Sequence, residues 1–492
     1  MKTLEPLIFE LSVPGRRGTT FPRPETAFKE NKTALPHDVT RKKAPRLPEV
    51  SEFDVVRHFT RISQLNFSAD TNFYPLGSCT MKYNPKVNER TSALPGFAQL
   101  HPYQTSRLTQ GTLELLWNLE RILCELTGMG AFSLHPAAGA QGELAGLLVA
   151  HAYFDSIKEK RTKVLVPDSA HGTNPASAAL AGYSVISVPS NKRGRIDKDA
   201  LKKALGGDVS LVMITCPNTL GLFEDQILEV AQMVHDCGAL LYMDGANFNA
   251  LVGLVEPAKL GFDIMHLNLH KTFSVPHGGG GPGAGPVGVK KSLEKFLPLP
   301  RIEKNGNAFH LQTNSKSSIG QLRSFFGNTG ALVRAYTYIM TLGQDGLKSV
   351  SENAILNANY LLVHLKEIFK PFIDETCMHE CVLSAVEYEK NGIRTLDIVK
   401  RLLDYGFYAP TVYFPLIVPE AMMLEPTETE SKKSMDDFIK AMKSIIEESK
   451  INPALVQTAP HTTPVRRLDE VAAARTPILK WSPELANQEA LT

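Results

Sequence analysis

Between about residues 130 and 290 the chain alternates short apolar runs with amphipathic stretches. Short apolar runs bounded by polar residues or glycine are typical of buried strands. The runs are Val164–Val166, Ser184–Val188, Leu211–Ile214, Leu240–Met243 and Ile264–Leu267. Between them, the stretch 227–235 places Ile227, Val230, Ala231 and Val234 on one helical face. Apolar strands separated by helices predict an α/β fold with a mostly parallel sheet that is covered on both faces.

A second pattern begins after Ser317–Asn328 and predicts a smaller C-terminal α+β domain. Thr395–Tyr405 and Ser434–Glu448 have the spacing of amphipathic helices, and Thr411–Phe414 between them has that of a strand. Ser434 and Asp437 fit a capping pattern at the start of the second helix.

The first 60 residues are rich in proline and basic residues and predict an extended arm with little core of its own. The predicted division is therefore an N-terminal arm (1–60), a large domain (61–330), and a small C-terminal domain with its tail (331–492).

Charge and cysteine content narrow the range of partners. The 53 basic and 51 acidic residues nearly balance, which gives no electrostatic case for nucleic acid or anionic membranes. The beginning of the chain has no apolar run typical of a secretion signal. The six cysteines are sparse, and only Cys377 and Cys381 lie close together, so no metal site is predicted. We expect reduced thiols and a cytoplasmic protein.

Polar residues with distinctive chemistry follow the predicted strand ends, where α/β sheets bind ligands: His171, Asn218, Asp244 and Lys271. Burial among apolar residues lowers the pKa of a lysine and makes it nucleophilic, so Lys271 can form a Schiff base with an aldehyde cofactor. An aspartate such as Asp244 can hold a pyridine nitrogen protonated, which makes the ring an electron sink. The pair predicts a site for pyridoxal 5'-phosphate (PLP).

Small residues supply the expected phosphate site. Ala138, Gly139 and Ala140 open an apolar helix, whose N-terminal amides and dipole favour an anion. His171 can stack on a pyridine ring. His270, next to Lys271, either shapes the environment of the lysine or points away from it. The glycine run that begins at Gly278 is a hinge or a close approach of backbone to ligand.

Four segments of the sequence are similar to segments of a known protein family. They are Leu269–His277 with its glycine tail, Tyr74–Pro85, Ser324–Asn328 and Glu425–Ser431. Together they resemble the glycine cleavage P-protein (glycine decarboxylase) family, and the similarity runs from about residue 50 to 480. The chain corresponds to the cofactor-bearing C-terminal half of the long form, which is the second subunit of the split form.

The resemblance implies a fold-type I PLP enzyme in which Lys271 holds PLP, Asp244 pairs with the pyridine nitrogen and His171 stacks on the ring. It implies that Ala138, Gly139 and Ala140 take the phosphate, with Asn218 near the ring hydroxyl. The implied reaction is decarboxylation of glycine with transfer of the aminomethyl group to the lipoyl group of H-protein. The implied partner is a homologous subunit 1, with two copies of each subunit in a heterotetramer.

Two other functions remain open from the residues alone. A cysteine desulfurase or an aminotransferase also uses a Lys and an Asp, and would need a mobile catalytic cysteine or a substrate-binding arginine. A non-catalytic scaffold subunit would be expected to lack the lysine. The residues that bind the glycine carboxylate are not identified by the sequence, and Arg323 is one of several possibilities.

Overall fold

A computed structural model describes residues 4–20, 22, 36–43, 45–278, 281–480 and 482. The chain divides into two compact units. One unit consists of Met1–Ser68 and Ala459–Thr492, and the other of Ala69–Thr458. The boundaries predicted at residues 60 and 330 stay predictions.

The described residues form the following helices and strands. The helices are α1 (Glu52–Leu65), α2 (Lys86–Ser92), α3 (Pro95–Ala98), α4 (Gln110–Thr127), α5 (Gly139–Ser156), α6 (Thr173–Leu180), α7 (Lys198–Ala204), α8 (Ile227–Asp236), α9 (Leu269–Thr272), α10 (Thr329–Leu365), α11 (Thr395–Asp404), α12 (Lys432–Ile451), α13 (Pro453–Gln457) and α14 (Glu470–Arg475). The strands are β1 (Ala131–Ser133), β2 (Lys163–Pro167), β3 (Ser184–Val188), β4 (Val209–Thr215), β5 (Leu240–Gly245), β6 (Ile264–Leu267), β7 (Val287–Val289), β8 (Arg301–Asn305), β9 (Ala308–Gln312), β10 (Lys370–Pro371), β11 (Cys381–Ser384), β12 (Thr411–Val412) and β13 (Ala421–Leu424).

Within Ala69–Thr458, a seven-stranded sheet of described residues has the order β1-β7-β6-β5-β4-β2-β3. Strands β2 to β6 pair in parallel, whereas β7 runs antiparallel to both β6 and β1. Successive residues of β4 face different cores: Leu211 and Met213 pack in one cluster, Val212 and Ile214 in another. The sheet is therefore mostly parallel and covered on both faces, which confirms the prediction from the apolar runs.

Helix α5 packs unusually close to the sheet. A Cβ atom on Gly146 would lie 2.4 Å from the ring of Tyr242, and one on Gly142 would lie 2.6 Å from the carbonyl oxygen of Gly285. Only glycine allows this approach. The start of α5 is thereby held at the sheet edge where the parallel strands end.

A smaller antiparallel sheet, ordered β10-β11-β13-β12, forms the second part of the same unit. Buried side chains of α11 and α12, among them Leu402, Phe438 and Met442, pack with Leu383 and Met422 of this sheet. The predicted α+β pattern is confirmed. Helix α10 leads into this part and is interrupted at Gly343, whose φ is 63°.

Three local predictions need correction. Helix α12 begins at Lys432, and Ser431, not Ser434, is its cap: the Ser431 hydroxyl accepts from the amide of Ser434. The strand predicted for 411–414 ends at Val412, because Tyr413 has a φ of 57°. The arm is not extended throughout, since α1 begins at Glu52 behind a capping box between Ser51 and Asp54.

No described helix combines the length and the apolar character that a membrane crossing requires.

Candidate active site

Lys271 lies in α9, directly after β6, at the carboxyl edge of the parallel strands. Its side chain is half-buried, and Nζ donates a hydrogen bond of 2.7 Å to the carbonyl oxygen of Ser78. Ser78 has a φ of 65°, and Gly77 before it has no room for a Cβ beside Met423. The segment 74–85 therefore reaches Lys271 through the left-handed backbone at Ser78 and the close packing of Gly77 against Met423.

Asp244 lies at the end of β5 and is 2% exposed. Its Oδ2 accepts from Asn174 Nδ2 at 2.9 Å, its Oδ1 accepts from the amide of Ala246 at 2.9 Å, and His266 Nε2 lies 3.3 Å from Oδ1. Burial on its own would raise the pKa of Asp244, but His266, Asn174 and Ala246 outweigh it, so the pKa is lowered. Asp244 thus offers an anion that can pair with a protonated ring nitrogen.

Glu143 of α5 belongs to the same buried cluster, a residue that sequence reasoning missed. Its carboxylate accepts from Thr173 Oγ1 at 2.9 Å and from Ser177 Oγ at 3.0 Å. Burial, together with the charge of Asp244, raises the pKa of Glu143. Ligating atoms of Glu143, Asp244 and His266 lie within 4.8 Å of one another, so the cluster has the composition of a metal site as well.

The start of α5 has the geometry of an anion site. Ala138 is extended (φ −157°, ψ 168°), and no side chain caps the helix. A Cβ on Gly139 would lie 2.4 Å from Asn268 Oδ1, and one on Gly285 would lie 2.0 Å from the carbonyl oxygen of Ala138. Asn268 Oδ1 is itself buried and has no hydrogen-bond partner among the described residues. The amides of Gly139 and Ala140 are thus available to a phosphate in a cradle that only glycine leaves open.

His171 lies between β2 and α6. Its Nδ1 is 3.0 Å from Thr173 Oγ1 and accepts from the Thr173 amide at 3.2 Å. Desolvation and the positive charge of Lys271 lower the pKa of His171, while Asp244 opposes the shift. The ring is therefore neutral at pH 7, which suits stacking on an aromatic ligand.

His270 is directed toward the segment 281–285. Its Nδ1 accepts from the amide of Ala284 at 3.3 Å, and its ring lies 5.3 Å from that of His277. Burial, followed by the charge of Lys271, lowers the pKa of His270 to about 3. The ring is therefore neutral at pH 7, and a role for His270 in catalysis or in the surroundings of the lysine stays a prediction. Gly279 and Gly280 of the glycine run lie outside the described residues.

Asn218 follows β4 as predicted, but its amide group serves the local turn. Nδ2 donates to the Gly194 carbonyl at 2.8 Å, and Oδ1 accepts from the amides of Leu220 and Leu222 at 3.0 and 3.1 Å. These bonds are typical of a structural asparagine, and contact with a cofactor stays a prediction. Arg323 likewise stays one of several possibilities for binding a carboxylate.

Lys82 is a buried ammonium group that sequence reasoning missed. Its Nζ donates to Thr272 O at 2.7 Å and to Asn249 Oδ1 at 2.9 Å, and it also contacts Glu428 Oε1 at 2.8 Å and Tyr338 OH at 3.2 Å. These bonds tie the segment 74–85 to the lysine helix α9, to α10 and to the segment 425–431. Two further buried acids, Glu380 and Glu425, interact with the positive charge of Lys271.

The geometry fits a planar pyridine that carries a phosphate and an aldehyde. It combines an amine for the aldehyde (Lys271), an anion for the ring nitrogen (Asp244), an uncapped helix start for the phosphate (Gly139) and a neutral imidazole (His171).

Comparisons with known proteins identify the family of the chain. The family model described as "Glycine cleavage system P-protein" matches residues 28–315, and the model "Glycine dehydrogenase, C-terminal domain" matches residues 350–461. The chain is 55% identical over 483 residues to the "Probable glycine dehydrogenase (decarboxylating) subunit 2" of Caldanaerobacter subterraneus subsp. tengcongensis, covering 98% of this chain and 100% of that one. It is 56% identical to the Fervidobacterium nodosum protein of the same name, covering 96% of this chain and 99% of that one.

Solved structures show the fold. A glycine decarboxylase (P-protein) of the glycine cleavage system in inhibitor-bound form aligns with a TM-score of 0.72 at 21% identity, over 84% of this chain and 93% of that chain. A cysteine desulfurase from Thermococcus onnurineus NA1 aligns with a TM-score of 0.60 at 14% identity, over 77% and 95%. These likenesses confirm the predicted fold-type I architecture. With family models that match most of its length and relatives that match nearly all of it, the chain belongs to the glycine cleavage system P-protein family.

Proposed function

We propose that this chain holds PLP on Lys271, decarboxylates glycine and transfers the aminomethyl group to the lipoyl group of H-protein. The observation that supports the chemistry most directly is the placement of the Lys271 amine and the buried Asp244 anion at the same sheet edge. The relatives named glycine dehydrogenase (decarboxylating) subunit 2 support the substrate. When bound, PLP supplies an electron sink for the electrons that a departing carboxylate leaves behind.

The residues of the chain have separate tasks in this proposal. The amides of Gly139 and Ala140 bind the phosphate, and the neutral His171 ring orients the pyridine plane. Asp244 holds a proton at the ring nitrogen, because a carboxylate with a lowered pKa pairs with a cation instead of taking its proton. The segment 74–85 covers the lysine and keeps water from it.

Cysteine desulfuration is the alternative that the fold allows. Among the described cysteines, Cys79 is the one that interacts electrostatically with Lys271. Burial, with Glu425 and Glu380, raises the pKa of Cys79 against the opposing effect of Lys271. Its thiol is therefore protonated at neutral pH, whereas a nucleophilic cysteine has a lowered pKa. This observation favours the glycine reaction.

We also propose a homologous subunit 1 as partner, with two copies of each subunit. The names of the relatives, which denote a subunit 2, support this. The surface of α1 supports it as well, because Phe53, Val56, Phe59 and Ile62 recur every three residues and are all exposed. An apolar row of this kind on a surface marks an interaction site.

Lys271→Ala tests the proposal. The variant should lose covalent PLP attachment and exchange of labelled bicarbonate into glycine, because no other amine stands at this position. The measurements are absorbance, fixation of the cofactor by borohydride, and exchange with subunit 1 and lipoylated H-protein present. Lys290→Ala is the control: Lys290 bonds Asp263 at 2.8 Å, away from the site, and its loss should leave fixation intact. Borohydride fixation that survives in Lys271→Ala would reject the assignment.

A further inference from the structure

Two buried glutamates lie opposite each other at the end of the small antiparallel sheet. Cys381 of β11 pairs with Leu424 of β13. Because the strands are antiparallel, the same register places Glu380, which precedes Cys381, opposite Glu425, which follows Leu424. Both side chains are fully buried. A carboxylate oxygen of Glu380, a carboxylate oxygen of Glu425 and a ring nitrogen of His379 all lie within 4.8 Å of one another. Like charges directly opposite on antiparallel strands are destabilising, so two ionised carboxylates are disfavoured here.

A single backbone segment connects both carboxyl groups to Lys271. The Ser78 amide donates to Glu380 Oε2 at 2.8 Å, and the Thr80 amide donates to Glu425 Oε2 at 2.9 Å. The Ser78 carbonyl oxygen accepts from Lys271 Nζ. Ser78 and Thr80 have φ values of 65° and 44°, a left-handed conformation that is strained for residues other than glycine. The strained backbone presents its amides to the acids and its carbonyl to the lysine.

The pair has no strong basic partner among the residues that the structure describes. Within the described part of the chain, neither carboxyl group has a lysine or arginine nitrogen within 4.0 Å, and Glu425 Oε1 has no hydrogen-bond partner. Burial raises the pKa of Glu425 to about 7, although Thr80 and Lys271 oppose the shift. Burial and the charge of Glu425 raise the pKa of Glu380 well above its ordinary range. Both shifts favour the retention of a proton.

The other titratable groups around the pair are nearly all neutral. Burial, then Lys271, lowers the pKa of His379 to about 3, so its ring is uncharged. Burial raises the pKa of the three thiols that interact with the pair: Cys79, Cys377 and Cys381. Glu428 is ion-paired with Lys82. Among the described residues, the charges that interact with the pair are that of Lys271 and, for Glu425, that of the Glu428 carboxylate.

We propose that Glu380 and Glu425 share one proton at neutral pH and present one negative charge to Lys271, which favours the protonated form of the lysine nitrogen that carries the cofactor. The proposal rests on the proposed function. It makes the two glutamates positioning residues, because they reach the lysine through the peptide units of the segment 78–80.

The first test is a pH titration of the PLP-loaded protein without glycine, followed by the absorbance of the lysine-bound cofactor. The double variant Glu380→Gln/Glu425→Gln should lower the midpoint by about 1 pH unit or more, because an opposite charge near the titrating nitrogen is lost. Glu224→Gln is the matched control: Glu224 is buried, accepts one backbone bond from Ile196 at 3.0 Å and has one unpartnered oxygen. The control should leave the midpoint unchanged. A double variant that titrates like the wild type overturns the proposal.

The single variants decide the question if the double variant does not fold. In a single variant only one carboxyl group remains. That group can carry either the proton or the negative charge, but not both. Each of Glu380→Gln and Glu425→Gln should therefore lose the infrared carbonyl band of the shared carboxylic acid, or else lower the absorbance midpoint. A single variant that keeps both band and midpoint overturns the proposal.

Two further outcomes are distinguishable. A stoichiometric divalent cation in the wild type that Glu425→Gln loses would overturn the proposal, because a metal would then neutralise the cluster of His379, Glu380 and Glu425. A wild-type protein that shows neither lysine-bound absorbance nor borohydride fixation would reject the proposed function itself.

Discussion

At the scale of single residues, Asp244 shows why burial alone does not determine the charge of a carboxyl group. Burial raises the pKa of Glu143 and of Glu425, yet the pKa of Asp244 is lowered although it is just as deeply placed. The difference lies in the partners: Asp244 has His266, the Asn174 amide and a backbone donor. Neighbouring carboxyl groups in one site thus have pKa values shifted in opposite directions, which is the usual basis for dividing roles among acids.

Asp244→Asn is predicted to retain PLP and to slow decarboxylation. A neutral amide cannot hold the ring-nitrogen proton by charge, and a hydrogen bond to a charged group is worth roughly 1.5–3 kcal/mol, so we expect the exchange rate to fall at least about tenfold. The measurement is bicarbonate exchange per PLP-loaded site.

Asp263→Asn provides the control for that experiment. Asp263 is also a buried aspartate with a histidine partner, His235 at 2.8 Å, but it precedes β6 and so lies at the opposite edge of the sheet. Its loss should lower the melting temperature without changing the rate of the folded enzyme. Equal exchange rates for Asp244→Asn and the wild type would mean that the electron-sink role belongs to another group.

At the scale of elements, Lys82 holds together segments that are distant in sequence. Its ammonium group is 1% exposed and its ion-pair partner Glu428 is 8% exposed. Burial would lower the pKa of Lys82, but Glu428 and Tyr338 raise it overall, so the group is charged. A buried pair contributes mainly when it is complete, since removing one member leaves the other charge without a partner.

Lys82→Met is therefore predicted to destabilise the protein by about 3–5 kcal/mol, through the unpaired Glu428 carboxylate. Thermal unfolding measures the effect. Lys86→Met, in the same region, is the control: its pair with Asp70 is about half exposed on both sides and should contribute no more than about 1 kcal/mol. Adding Glu428→Gln to Lys82→Met should recover part of the loss. Similar melting temperatures for Lys82→Met and Lys86→Met would contradict the structural role of the pair.

The elements that the sequence predicts well are those whose signal is local. Strand β3 and strand β6 have the predicted bounds, and α8 buries the four residues that share its predicted face. Strands β1 and β7 were missed because three residues are too few to show a period. The cap of α12 was misplaced because Ser434, unlike Ser431, directly precedes the first apolar residue of the helix, Met435. Only the observed backbone shows which hydroxyl accepts a helix amide.

The site divides in the same way. Lys271, Asp244 and His171 follow apolar strands, and topology gathers strand ends at one edge, so sequence alone could bring them together. Whether they act as proposed stays a prediction. Glu380 and Glu425 meet only through the register of β11 and β13, and Lys82 meets Glu428 only through tertiary packing. Two sequence signals were available: Glu425 directly follows the apolar run 421–424, and Lys82, Glu425 and Glu428 lie in segments that carry the family resemblance.

At the scale of the whole molecule, the unit that holds the two chain ends carries apolar surface. Within this unit the N-terminal residues pack beside α1 through polar contacts, such as the Arg16–Asp54 pair at 2.9 Å and the Val13 amide bond to Glu49 at 2.9 Å. Phe53 and Phe59 of α1 remain exposed, as do Leu468 and Val471 near the C-terminus. Exposed apolar side chains concentrated in one unit are what a subunit interface requires.

Val56→Asp combined with Phe59→Asp is predicted to weaken association with subunit 1 by about tenfold or more, because apolar anchors carry most of the energy of an interface. The melting temperature of the isolated chain should change little, since both side chains are exposed. Leu228→Asp on α8 is the control, an equally exposed apolar residue in the other unit. Gel filtration of co-expressed subunits and exchange activity of the mixture measure the effect. Unchanged co-elution of the double variant with subunit 1 would show that α1 is not part of the interface. Full exchange activity of this chain, with only glycine and lipoylated H-protein added, would reject the need for a second subunit.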